Sequence, residues 1–296
     1  MNERQMTQLA LLGADGATTI RTAVGHCVDE VRGVTAGSAA PGPTVIAGIG
    51  TTAAHALKGR LLQDALAQQG IDLAGTRFFE NPAELLSDSS WTLALVLSPW
   101  KQEVAPLIPT LTASAGETGV VDTIVGEAEG AVGVNTNSWA AQAAMETLMG
   151  GRTPASILVL GSGGSSNSVA LACRRAWPAA RLIGSARNAE ALSAWAQRFG
   201  AEYASPTGLD DLLGAESPSL LVNTTTWGET DASEETPFVF DFATLTSPGN
   251  QFFDLNNRVS ALQTSALQAG MNVMSGTFMQ RATNACRAAL SKARAR

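Results

Sequence analysis

Ser156-Ile-Leu-Val-Leu-Gly-Ser-Gly-Gly-Ser-Ser-Asn-Ser-Val169 is the stretch on which the reading of this chain turns. Its apolar run, Ile157–Leu160, is expected to form a strand buried on both faces. The run breaks at Gly161, Gly163 and Gly164, and a helix-like stretch, Val169–Trp177, follows. Strand, glycine turn and helix in that order make a cradle for phosphate. Glycine lets the backbone turn tightly and approach an anion, while a helix N-terminus presents N–H groups with partial positive charge. Gly161, Ser162, Gly163, Gly164, Ser165 and Ser166 are therefore candidate contacts for a dinucleotide. The spacing departs from G-x-G-x-x-G, because Ser166 stands where the third glycine is expected. Taken alone, the loop also fits a tight strand–helix turn with no ligand.

Outward from this turn, strands alternate with helices, which implies a mostly parallel sheet. Downstream, Arg181–Ser185, Leu220–Asn223 and Phe238–Phe242 read as strands. Helices are expected near Ala189–Phe199, Leu209–Leu213 and Arg258–Ala269, and an amphipathic helix closes the chain over Phe278–Leu290. The second strand leads into Ala186-Arg187-Asn188 rather than an acidic residue. An acid there would hold the adenosine ribose of NAD, whereas a guanidinium fork suits a 2′-phosphate. NADP(H) is thus the favoured cofactor, against a reading of Arg187 as a solvated loop charge.

Upstream, strands are expected over Thr44–Ile49, Gly75–Phe79, Trp91–Leu97, Val120–Val125 and Ala131–Val134. Helices are expected over Ala53–Gln69 and Asn137–Met149, and another should start at Pro99–Lys101, since proline suits a first helical turn. The N-terminal piece reads as a short apolar run, Leu9–Leu12, followed by a helix over Thr18–Val31. Thr35–Pro43, rich in Gly, Ala and Pro, then reads as a flexible linker.

A chain of 296 residues suggests about two domains, and 45% hydrophobic residues suffice for two cores. Only 15% of residues are charged, and the net charge of -7 argues against nucleic acid or an anionic membrane as partner. The basic tail Lys292–Arg296 reads as a solvated helix end. No signal peptide or membrane-spanning run is evident. Cys27, Cys173 and Cys286 lack metal-ligand spacing, and with His26 and His55 the only histidines no metal site is expected. A reduced, cytoplasmic protein is the expectation.

Several motifs then line up in order with one family. From about Pro43 onward the chain resembles the shikimate dehydrogenases. Their G-A-G-G-x-x-x-A loop is matched by Gly161–Ser168 and their N-R-T motif by Ala186-Arg187-Asn188. I-N-A-T-P-x-G is matched by Val222-Asn-Thr-Thr-Thr-Trp-Gly228, and V-V-D by Val239-Phe-Asp241. T-x-P-x-K keeps Pro99-Trp-Lys101, A-V-N-T-V-V becomes Val120-Val-Asp-Thr-Ile-Val125, and N-T-D-G becomes Asn135-Thr-Asn-Ser138. The resemblance implies an α/β chain, with an N-terminal α/β substrate domain (43–137) and a C-terminal Rossmann-type, doubly wound parallel-sheet domain (138–275). The C-terminal helix (276–296) should pack back on the substrate domain, and residues 1–42 form an extension of unassigned role.

The resemblance also implies hydride transfer between NADP(H) and a ring carbon, with Asn223, Thr224 and Thr225 joining the glycine loop and Arg187 at the cofactor. Lys101 matches the family's proton-handling lysine. The family's aspartate is replaced by Asn137, while the family's nearby asparagine is replaced by Asp122. This exchange suggests that Asp122 pairs with Lys101 as the proton-handling pair and that Asn137 completes the catalytic set as a substrate ligand. Two unrelated drifts in a protein that lost the chemistry are the alternative.

Other departures concern what is bound. The S-x-S pair that holds the shikimate carboxylate falls to alanines in the run Ala53-Ala54-His55-Ala56-Leu57-Lys58, the usual tyrosine after V-V-D aligns with Thr244, and the C-terminal-helix glutamine aligns with Thr283, one turn after Gln280. His55, Trp100, Trp139, Thr283 and Gln280 are candidate substrate contacts, with ordinary packing as the other reading of the tryptophans. The expected function is therefore an NADP-dependent alcohol dehydrogenase or ketoreductase on a small substrate other than shikimate, fitting secondary metabolism. The rival is a non-catalytic NADP(H)-binding sensor or scaffold. Assembly as a homodimer stays open.

Overall fold

Buried runs and turn residues sort into two units in the computed structural model, which describes residues 3–35, 43–127, 130–214 and 216–294. One unit comprises Met1–Thr19 with Ala141–Gln280, the other Ile20–Ala140 with Arg281–Arg296. Most of the expected linker, 36–42, lies outside the described residues, as do the last two residues of the basic tail.

The N-terminal piece is one helix, α1 (Glu3–Val34), rather than a short run and a separate helix. Ala23, Cys27 and Val31, spaced four apart, are buried as a stripe along it. In the 20–140 unit follow β1 (Thr44–Ile49), α2 (Ala53–Lys58), α3 (Arg60–Gln68), β2 (Leu73–Phe79), α4 (Pro82–Ser87) and β3 (Leu93–Val96). The helix expected over Ala53–Gln69 is thus broken, because Gly59 is extended and ends one helix while starting the next. Next come β4 (Thr110–Leu111), α5 (Ala113–Thr118), β5 (Thr123–Glu127) and β6 (Gly130–Val134).

The sheet runs β2-β1-β3-β5-β6-β4. β1 is parallel to both neighbours, whereas β5 is antiparallel to β3 and β6, because a short β5–β6 connection can only make a hairpin. Alternation along the strands divides the core: Leu93 and Leu95 join Cys27, Leu62 and Leu290 on one face, while Ala94 and Val96 join Leu85 and Ile124 on the other. No helix starts at Pro99. The Ser98–Pro99 bond is cis and residues 98–104 turn irregularly before a short 3-10 helix, Ala105–Leu107.

α6 (Thr136–Met149) leads into the 141–280 unit, where β7 (Ser156–Leu160), α7 (Gly164–Ala176), β8 (Arg181–Ser185), α8 (Ala189–Phe199), β9 (Glu202–Ala204) and α9 (Leu209–Leu213) follow. Then come β10 (Leu220–Asn223), α10 (Asp231–Glu234), β11 (Gln251–Asp254), α11 (Ala261–Gln268), β12 (Asn272–Ser275) and α12 (Gly276–Arg294). The sheet order β12-β11-β10-β7-β8-β9 is all parallel, and counted from β7 it is the doubly wound order 3-2-1-4-5-6.

Phe238–Phe242 is not a strand. Val239 and Asp241 are exposed while the three phenylalanines cluster with Trp227 and Phe252, so the segment covers the sheet with one face. The strand beside β10 is β11, whose residues are all buried. The V-V-D match therefore moves from Val239–Asp241 to Phe252–Asp254. Thr244, taken above as the tyrosine position, is exposed and donates to Asp210.

Candidate functional site

The glycine turn lies at the switch point of the doubly wound sheet, where β7 and β10 are neighbours and their following chains diverge. Gly161 has φ +113°, and a Cβ there would stand 2.5 Å from Thr224 Oγ1. That oxygen is fixed by its bond to the Leu160 carbonyl, 2.7 Å. Only glycine fits this turn. A Cβ at Gly163 would meet nothing within 4 Å, so this backbone is open to an approaching group. The helix starts at Gly164, five residues earlier than expected, with Gly163 as its N-cap and no side chain capping it. Ser166, in the first turn, is buried with an unbonded hydroxyl. Uncapped amides and an orphaned hydroxyl leave this helix end suited to an anion.

A cavity of about 730 Å³ opens here, lined by Gly161, Ser162, Gly163, Arg187, Thr224 and Thr225 among others. Arg187 is exposed on its wall, and among the described residues no carboxylate pairs with it. Asn188 is otherwise engaged, accepting from Ala191 N as the cap of α8. The glycine turn, the bare helix end and an unpaired guanidinium fit a phosphorylated dinucleotide.

The loop after β10 is set from behind. Asn223 Oδ1 accepts from Thr225 N and Oγ1 at 3.1 and 2.7 Å, and its Nδ2 donates to buried Asp254, 3.0 Å. Asp254 also accepts from Asn256 Nδ2, Ser260 Oγ and Gln263 Nε2 at 2.9, 2.7 and 3.0 Å. Burial pushes its carboxyl above the ordinary value, and these donors oppose the rise. Sequence reading missed Asp254 because it placed the strand too early.

In the 20–140 unit, Asp122 is fully buried just before β5. Its Oδ1 accepts from Thr136 N and Thr136 Oγ1, both 2.9 Å, and its Oδ2 accepts from Asn137 N, 2.7 Å. Asn135 Oδ1 accepts from Ser138 N, 3.0 Å. Asp122 and Asn135 together satisfy the first amides of α6, a favourable place for a negative charge. Thr283 Oγ1 donates to Asn137 Oδ1, 3.1 Å. Arg287, one turn further along α12, donates to Thr123 Oγ1 and to the Asp122 carbonyl, both 3.0 Å. Burial lowers the Arg287 guanidinium from its ordinary value, and Asp122 opposes this.

Of the residues singled out from sequence, Asp122, Asn137 and Thr283 are thus joined directly. Lys101 is half-buried, and its carbonyl accepts from Val121 N, 2.9 Å, which sets its backbone beside that of Asp122. The remaining candidates are outside this network. His55 is exposed on α2, Trp100 packs against the core of Val104 and Ile108, and Gln280 belongs to the 141–280 unit. Trp139 stacks on His26 at 4.8 Å and donates from Nε1 to Glu30 Oε2, 3.1 Å. Glu30 also accepts from Ser114 N, 3.1 Å, so the 20–34 part of α1 is built into this unit. Arg287 was missed, although its signal is legible: it is an arginine on the same helix face as Met279, Thr283, Cys286 and Leu290. Among the described residues no His, Cys, Asp or Glu cluster is arranged for a metal, and no helix is long and apolar enough to cross a membrane.

The chain matches no family model. It is 32% identical over 203 residues to the shikimate dehydrogenase (NADP(+)) of Geobacter metallireducens, spanning 63% of this chain and 70% of that one. It is 30% identical over 216 residues to the enzyme of the same name from Symbiobacterium thermophilum, spanning 68% and 72%. Among solved structures, shikimate dehydrogenase from Aquifex aeolicus matches with a TM-score of 0.69 and 27% identity over 80% of this chain and 88% of that one. Quinate dehydrogenase from Corynebacterium glutamicum, in complex with NAD, matches in fold with a TM-score of 0.71 at 22% identity, over 85% and 97%. The motif order, the doubly wound sheet with its glycine turn and these likenesses agree: the chain belongs to the shikimate dehydrogenase family.

Proposed function

We propose that the chain is an NADP(H)-dependent oxidoreductase that interconverts a secondary alcohol and a ketone on a small cyclic or hydroxy-acid-like substrate other than shikimate. The observation that carries the cofactor is the unpaired Arg187 on the wall of the glycine-turn cavity. Relatives named for NADP(+) support the same choice. Gly161–Ser166 receive the pyrophosphate, Arg187 the 2′-phosphate, and Asn223–Thr225 the nicotinamide side. When bound, NADPH supplies the hydride.

In reduction, the carbonyl carbon gains that hydride and its oxygen gains a proton from Lys101; oxidation returns the proton to Lys101. In this reading Asp122 is the second member of the proton-handling pair, and its bonds to the first turn of α6 support Asn137 as a substrate ligand. Alanines in the run Ala53–Lys58, in place of a serine pair, remove two hydroxyl donors, which weighs against shikimate.

The test is titration with NADPH and NADH, followed by a screen of cyclic ketones and hydroxy acids for cofactor turnover. NADPH binding with turnover on at least one class supports the reading; NADPH binding with none supports a sensor or scaffold instead. Arg187→Ala is expected to weaken NADPH binding about 10- to 100-fold, the value of a lost charge-assisted contact, and to leave NADH binding unchanged. Equal loss for both cofactors would remove Arg187 from the phosphate site.

A further inference from the structure

Two side chains one turn apart on α1 hold the same indole. His26 stacks on the face of Trp139 at 4.8 Å, and Glu30 Oε2 accepts from its Nε1 at 3.1 Å. Residues four apart on a helix share a face, so the 20–34 part of α1 offers Trp139 a flat surface and an acceptor together. The same carboxylate accepts from Ser114 N at 3.1 Å and from Ser114 Oγ at 2.6 Å.

From Ser114 a second line of bonds leads to the same place. Thr118 Oγ1 donates to the Ser114 carbonyl at 2.7 Å and accepts from Asn135 Nδ2 at 2.8 Å. Asn135 Oδ1 accepts from Ser138 N at 3.0 Å, and Ser138 Oγ donates back to the Asn135 carbonyl at 2.9 Å. Ser114, Thr118, Asn135 and Ser138 are fully buried, where a broken hydrogen bond finds no water to replace it. Glu30 thus reaches Trp139 directly and Ser138 through this line, while Asp122 holds Thr136 and Asn137. The whole first turn of α6 is tied down, half of it from α1.

We infer that Glu30 is a positioning residue, through which the N-terminal helix fixes the first turn of α6 and with it the place of Asn137. Residues 20–34 then belong to the substrate side of the site rather than to a separate arm. This rests on the reading of Asn137 as a substrate ligand and extends it to a part of the chain ahead of the family motifs.

Glu30→Gln keeps the size of the side chain and removes one acceptor. Whichever way the amide sits, its N–H groups face the N–H of Ser114 or of Trp139. Hydrogen exchange read by mass spectrometry follows the turn without any substrate. The amides of residues 136–138 should exchange about tenfold faster in this variant, while those of β3, in the same unit, stay unchanged. Trp139→Phe should act alike, and adding Glu30→Gln to it should change little, because the amide then has only Ser114 to satisfy. The variants are next assayed with NADPH and the most active ketone of the screen above. Glu30→Gln should raise KM about fivefold with kcat within about twofold, and raise KM no further in an Asn137→Ala background.

Unchanged exchange at 136–138, or faster exchange spread equally over β3, overturns the inference and leaves the reductase reading standing. So does selective exchange with KM unaltered, or an equal rise in KM when Asn137 is already alanine. A natural chain that turns over no ketone overturns the reductase reading instead, and Glu30 then stands or falls on the exchange pattern.

Discussion

Arg287→Met is expected to lower the free energy of unfolding by about 3 kcal/mol, the low end for breaking up a buried charge arrangement. The guanidinium is only 5% exposed and donates to Thr123 Oγ1, the Asp122 carbonyl and Asn284 Oδ1. Methionine fills similar volume but leaves those acceptors without their donor. It also removes the cation whose field acts on the buried Asp122. Asp122 keeps the amides of α6, so it is not orphaned; what it loses is the compensating charge. Asp122→Asn should therefore cost less in this background than in the natural chain, a coupling that independent sites would not show. Urea unfolding followed by tryptophan fluorescence reads both. A loss below 1 kcal/mol, or strict additivity, would mean that Arg287 is only a spacer.

The same residue shows where sequence reading reached its limit. β7, β8 and β10 were legible because an all-parallel sheet buries both faces and writes its strands as continuous apolar runs. The glycine turn was legible because positive φ and close approach to Thr224 leave no other residue. The start of α7 was not, since Gly-Ser-Ser-Asn-Ser has poor helix propensity, although such residues are well suited to a first turn. Phe238–Phe242 misled because alternate phenylalanines look the same whether they face a partner strand or cover a sheet. Buried polar pairings are harder still. The identity of Asp122 could be read beside Lys101 and Asn137, but its bonds to α6 join residues fourteen and fifteen positions apart through a hairpin that had to be folded first. Thr283 and Arg287 reach that corner from across the sequence, and only their spacing on α12 hinted at a shared face.

Lys101→Met is expected to reduce kcat about 1,000-fold while leaving the NADPH dissociation constant unchanged. Removing a positioned acid or base typically costs between about 10²- and 10⁴-fold, and the cofactor contacts proposed above lie on the other unit of the chain. A loss in kcat with KM little altered separates proton transfer from binding; a rise in KM alone would make Lys101 an anchor for substrate. Asp122→Asn should have a smaller effect on rate, about tenfold, because Lys101 remains to exchange the proton while the carboxylate also holds α6 and Asn137. The amide would turn N–H groups toward the N–H groups of Thr136 and Asn137, so the helix start must shift and Asn137 with it. Stability should fall by about 1 kcal/mol through the lost cap, which separates this variant from Lys101→Met. If turnover survives in both variants, neither residue handles the proton, and the acid must be sought elsewhere in the chain.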